Sequence, residues 1–124
     1  MKLLYKIVMI IGVSTLLTSC YYDTFPEDDG TVPEDVSYSM DIQPLWDADC
    51  VSCHNGAVPP NLEADVSHAE LLNGFVVAGN PDESVLYHSL LGTNGVSLMP
   101  PNAKWPDSQI NLVKGWIEQG AKDN

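Results

Sequence analysis

The residues with the most chemistry in this 124-residue chain are Cys50-Val51-Ser52-Cys53-His54. A C-x-x-C-H run is the attachment signature of a c-type haem. Each thiol adds across one vinyl group of the porphyrin, giving two thioether bonds, and the two intervening residues match the sulfurs to the two vinyls. His54 follows at once, so its imidazole binds the iron from one face. Two rival chemistries fit less well. A thioredoxin-like redox pair wants a βαβ context, and no strand–helix–strand pattern surrounds it. A structural zinc site needs four ligands, usually with a second Cys or His pair at short spacing. His68 and His88 stand alone.

A second candidate group lies late in the chain, at Met99-Pro100-Pro101 within the stretch Gly92 to Lys104. A thioether is a soft, neutral donor suited to haem iron, and His/Met ligation raises the potential relative to two histidines. The two prolines stiffen the loop and remove two backbone donors. Alone, such a Met reads as core filling. Beside the haem motif it is the leading sixth ligand, ahead of His88, His68, Met40 and an open position.

The elements that must hold these groups read as helices. Asp41 to His54 is expected as the first, with Asp41 as N-cap and Pro44 in the first turn. Ile42, Leu45, Trp46, Cys50 and Cys53 share one face of it. Asn55 to Asp65 is a loop, marked by Asn55-Gly56 and Pro59-Pro60. Ser67-His68-Ala69-Glu70 has the capping-box form and opens a short helix ending at Asn73-Gly74, with His68 on a solvated surface. Residues 75–78 form an extended connector. Asn80-Pro81-Asp82-Glu83 starts a helix that runs to about Leu91 and stops at Gly92, with Val85, Leu86 and Leu90 on the inner face and His88 exposed. The last helix runs from Pro106 to Gly120, with Ile110, Val113, Trp116 and Ile117 as its stripe.

The totals bound the rest. The length suits one domain, and 44% of residues are apolar. Residues 1–19 read as a lipoprotein signal peptide: Lys2 and Lys6, then an apolar run too short to span a bilayer, then Leu17-Thr18-Ser19-Cys20. That ending resembles a bacterial lipobox, which implies lipid on Cys20, cleavage before it and acylation of the new amino group. More than one acyl chain gives stable anchoring. The expected location is therefore the bacterial cell envelope, facing the periplasm or the cell surface. Residues 20–38 read as an acidic, lipid-anchored linker; residues 21–38 span about 60 Å fully extended, or less if Phe25 or Tyr38 docks on the domain. With Cys20 lipidated and Cys50 and Cys53 on haem, no disulfide remains to be made. The whole chain carries a formal charge of −12, and from Cys20 onward three lysines face 17 acids, a net −14. So acidic a surface argues against nucleic acid as a partner and against electrostatic docking on anionic lipid. It favours a redox partner with a basic docking surface; acidity that only keeps an exported protein soluble is the alternative.

Residues from about Met40 to Ala121 resemble a single-haem cytochrome c domain of the class I type. Four features carry the resemblance: Cys50-Val51-Ser52-Cys53-His54, Met99-Pro100-Pro101, Gly79-Asn80-Pro81 and Trp116-Ile117-Glu118-Gln119-Gly120-Ala121. It implies an all-α fold of three to five helices wrapped around one covalent haem c, in a domain spanning residues 39–124. Cys50, Cys53, His54 and Met99 would bind the haem, with His54 and Met99 on the metal. It implies that a proline carbonyl, of Pro59 or Pro60, accepts the His54 Nδ1–H bond. It also implies a close crossing of the first and last helices, which Gly115 would permit, with Trp116 near Leu45 or Trp46. The expected function is electron transfer by a membrane-anchored carrier, with no enzymatic activity. The alternative is a haem-based binder or sensor of CO, NO or O₂ with an open sixth position.

Overall fold

The computed structural model describes residues 30–101 and 103–124. The stretch read as a signal peptide, Cys20 and the start of the stretch read as a linker lie outside the described residues. Among the described residues there are four α-helices and no strands: α1 Gln43–Asp49, α2 Ser67–Leu72, α3 Val85–Leu91 and α4 Asp107–Glu118. None of these is long and apolar enough to cross a membrane. A π-helical turn, Tyr38–Ile42, leads into α1, and a 3-10 turn, Pro81–Glu83, precedes α3.

The first helical segment starts earlier and ends sooner than the sequence pattern implies. Ser37 is the cap: its Oγ accepts from the Met40 N–H, and the Asp41 carboxylate accepts from the Ser37 N–H at 2.8 Å. Asp41 thus closes a reciprocal cap from inside the turn rather than opening the helix itself. At the other end, the Cys50 and Val51 amides both donate to the Trp46 carbonyl, at 2.9 and 3.0 Å. The ladder loses its register there. Cys50 to His54 consequently lies in turns, with the Cys53 and His54 amides both donating to the Cys50 carbonyl.

Ser67 does not form the expected capping box. It is the first residue of α2 and is fully buried, and its hydroxyl has distant partners instead. It donates to Gln43 Oε1 at 2.6 Å and accepts from the Tyr38 hydroxyl at 2.7 Å. Gln43 Nε2 in turn donates to the Leu62 carbonyl and to Asp47 Oδ1. This buried polar chain ties the π-turn, α1, the loop and α2 together, and each member satisfies the next.

The helix expected from Asn80 to Leu91 is split at Ser84, whose backbone is extended. Ser84 Oγ accepts from the Val77 N–H at 2.9 Å and donates to the Asn80 carbonyl at 2.8 Å. Gly92, left-handed at φ 65°, ends α3 as expected. In α4 the stripe Ile110, Val113, Trp116 and Ile117 is buried, and Gly120 follows at φ 97°.

Gly115 permits a close approach, but of a different segment from the one expected. A Cβ there would lie 2.7 Å from the Pro33 carbonyl oxygen and against Val32 and Val36. Those residues form a strap across α4. Gln119 holds it with both ends of its amide, accepting from the Val36 N–H and donating to the Pro33 carbonyl, each at 2.9 Å. Val36 and Tyr38 are core residues, so packing begins within the stretch read as linker, and Tyr38 docks. Trp116 meets the rings of Tyr38 and His68, while Trp46 stacks on Trp105 at 5.8 Å. His68 is not solvated as expected. Its side chain is 18% exposed, its Nε2–H donates to the Ala121 carbonyl at 2.8 Å, and its ring meets Tyr38 edge-on.

Candidate haem site

Between the Cys50–Leu62 turns and α3 lies a cavity of about 410 Å³ with almost entirely apolar walls. That volume is typical of small-molecule and cofactor sites. Its lining comes from two stretches of chain: Trp46, Cys50, Cys53, His54, Pro60 and Leu62 from the first, and Leu86, Ser89 and Leu90 of α3 with Met99 and Pro100 from the second; Val58 and Val85, also in the lining, are exposed.

Cys50 is half-buried and Cys53 exposed, and both are free thiols. Burial, reinforced by the Asp49 carboxylate and by Cys53, pushes the Cys50 thiol up to about 12. Cys50 is therefore a neutral S–H at physiological pH. Among the described residues no group of three His, Cys, Asp or Glu side chains is gathered to hold a metal ion.

His54 has a fixed orientation. Its Nδ1 lies 3.1 Å from the Pro60 carbonyl and 3.2 Å from that of Val58. Carbonyls only accept, so Nδ1 carries the proton and Nε2 keeps its lone pair. Of the two prolines left open by the sequence, Pro60 supplies the acceptor, and Val58 shares it. The backbone of His54 is pinned as well, its carbonyl accepting from the Leu62 N–H at 2.8 Å.

Met99 reaches the cavity from the loop after α3, and its N–H donates to the Ser89 carbonyl at 2.8 Å. The other sixth-ligand candidates are placed elsewhere. Met40 is 75% exposed. His88 is half-buried rather than exposed, with Nε2 donating to the Asp82 carbonyl at 2.8 Å and Nδ1 3.0 Å from the Thr93 hydroxyl. His68 is held by Ala121. None of the three lines the cavity.

The donor set therefore suits a haem: two thiols and an oriented imidazole from the first stretch, a thioether from the second, and apolar lining around them. Beside the cavity the stacked indoles of Trp46 and Trp105 each bury an Nε1–H with no acceptor.

Ser89 escaped notice in the sequence, although it lies four residues after Val85 and three after Leu86, the spacing that puts all three on the cavity face of α3. The Tyr38–Ser67–Gln43 chain had no local signal, since its members are far apart in sequence. In comparisons with known proteins, no family model, no curated protein and no solved structure matches the chain.

Proposed function

We propose that the chain is a c-type cytochrome of the class I kind, with one covalent haem c, that carries single electrons. The observation that carries this reading is the meeting of Cys50, Cys53, His54 and Met99 at one apolar cavity. When bound, the haem iron supplies one-electron chemistry by alternating between ferric and ferrous states. The chain's own residues do the rest. Cys50 and Cys53 would hold the ring, each S–H adding across one vinyl with the sulfur to one carbon and the proton to the other. His54 presents Nε2, held in that tautomer by the Pro60 carbonyl, which also raises its basicity. Met99 would supply a neutral thioether sulfur as the second protein ligand. The apolar walls exclude water and lower the local dielectric.

With His54 and Met99 both on the iron, no position would be left for oxygen chemistry, and the domain would act as a carrier and not an enzyme. Its placement in the cell envelope rests on the Cys20 lipidation signal, and its acidic surface suits a partner with a basic face. Replacing Met99 with Ala tests the assignment. It should lower the reduction potential and open the ferrous protein to CO, which the unaltered protein resists. Unchanged potential and spectrum would discard Met99 as a ligand. Rapid CO binding by the unaltered ferrous protein would instead favour the ligand-sensing alternative.

A further inference from the structure

We propose that Gly92 is a positioning residue for Met99, acting through Leu98; this rests on the reading of Met99 as an iron ligand. The loop that brings Met99 to the cavity is fastened to the end of α3. The Thr93 N–H donates to the His88 carbonyl at 3.1 Å, the Val96 N–H to the Thr93 carbonyl at 3.0 Å, and the Met99 N–H to the Ser89 carbonyl at 2.8 Å. The His88 ring spans from the Asp82 carbonyl to the Thr93 hydroxyl and adds a side-chain clasp. The chain therefore turns at Gly92 and comes back along the helix it has just left.

That return passes close to Gly92. A Cβ built there would lie 3.2 Å from Leu98 Cβ, 3.4 Å from Leu98 Cδ1 and 3.7 Å from Leu98 Cα. Rotating the Leu98 side chain moves Cδ1 but leaves Cβ and Cα where they are. Relief takes a few tenths of an ångström of separation between the two backbones, and Leu98 is bonded directly to Met99. The absence of a Cβ at Gly92 thus sets how near the sulfur stands to the position the iron would take.

Gly95 is the natural control. It lies in the same loop, also left-handed at φ 76°, but a Cβ there would meet nothing within 4 Å. Substituting either glycine incurs the same kind of left-handed backbone cost. Only the one at residue 92 crowds Leu98.

The test uses the protein with haem attached and reads three quantities: the imidazole dissociation constant of the ferric form, the reduction potential, and the sulfur-to-iron charge-transfer absorption. Gly92→Ala should bind imidazole about tenfold more tightly, because a ligand in a strained position competes less well with an added one. Its potential and sulfur-to-iron band should fall together. Gly95→Ala should stay within about twofold of the unaltered protein by the same competition. Removing the crowded Cβ itself, in Gly92→Ala with Leu98→Gly, should bring imidazole affinity back toward that of Leu98→Gly alone. If the Gly92 variant accumulates poorly, Gly92→Asn keeps the Cβ with a smaller backbone penalty, and Gly95→Asn is its control. Equal behaviour of the two glycine positions, or no recovery in the double variant, would overturn the proposal alone. If Met99→Ala leaves imidazole binding unchanged, the ligand assignment fails and the proposal falls with it.

Discussion

His54 and Met99 face one cavity from segments of opposite construction. His54 lies one residue after Cys53, and the hydrogen bonds that place it stay within residues 50–62. Met99 lies 45 residues further on, in a loop fastened to the carbonyls of α3. The placement of His54 is thus defined by covalent proximity and local turns, and that of Met99 by tertiary structure. Local structure forms without waiting for distant contacts, whereas tertiary placement can be lost while the rest of a fold persists. The lesson is that the two ligands should fail differently.

The largest contrast should come from deleting each ligand. His54→Ala removes the imidazole beside the attachment sulfurs, and little haem-bearing protein should accumulate. Met99→Ala should retain its haem, with a lowered potential and an open sixth position. Haem staining after denaturing electrophoresis, beside CO difference spectra, separates the two results. Equal haem loss in both variants would break the contrast.

A smaller effect should follow from the strap. Gly115→Ala places a methyl group 2.7 Å from the Pro33 carbonyl, so the strap must lift or the helix must move. Overpacking of this kind costs about 1–3 kcal/mol. No strap residue lines the cavity, so the optical spectrum should stay unchanged while the denaturant midpoint falls. A spectral change would show that the strap and the ligands are coupled.

The smallest effect is alkaline. Burial pushes the Tyr38 phenol above its ordinary value of 10.0. Below that value folded and unfolded chains both hold the proton, and stability is undiminished. Above it the unfolded chain releases the proton first, so stability falls as pH rises. Denaturant midpoints should hold steady through neutral pH and decline beyond 10.0, and Tyr38→Phe should flatten that decline.

The placement of His54 was legible in the sequence because its partners are local: a proline soon after the Cys50–His54 run implied the carbonyl, and Pro60 supplies it. Met99 was legible only beside that motif. The inner face of α3 and the stripe of α4 followed from helical spacing, and the structure bears both out. Capping was less legible. Ser67 and Asp41 have the residue types of helix starts, yet Ser67 serves Gln43 and Tyr38, and Asp41 serves the Ser37 amide. A side chain that can bond locally will bond at long range when burial offers a better partner. Gly115 shows the same limit. Its small size announced a close approach, but nothing in a run of residues says which segment approaches. His68 and His88 were read as surface groups because a lone imidazole carries no pattern, and both tie chain segments together.

The central claim is a covalent haem at Cys50 and Cys53. It is tested most directly by the intact mass of the exported protein, produced in a host able to attach haem, with a pyridine extract spectrum to count thioether links. The account predicts a mass increased by one haem and a spectrum of the two-thioether type. Colourless protein with the mass of the polypeptide and its lipid alone would contradict it.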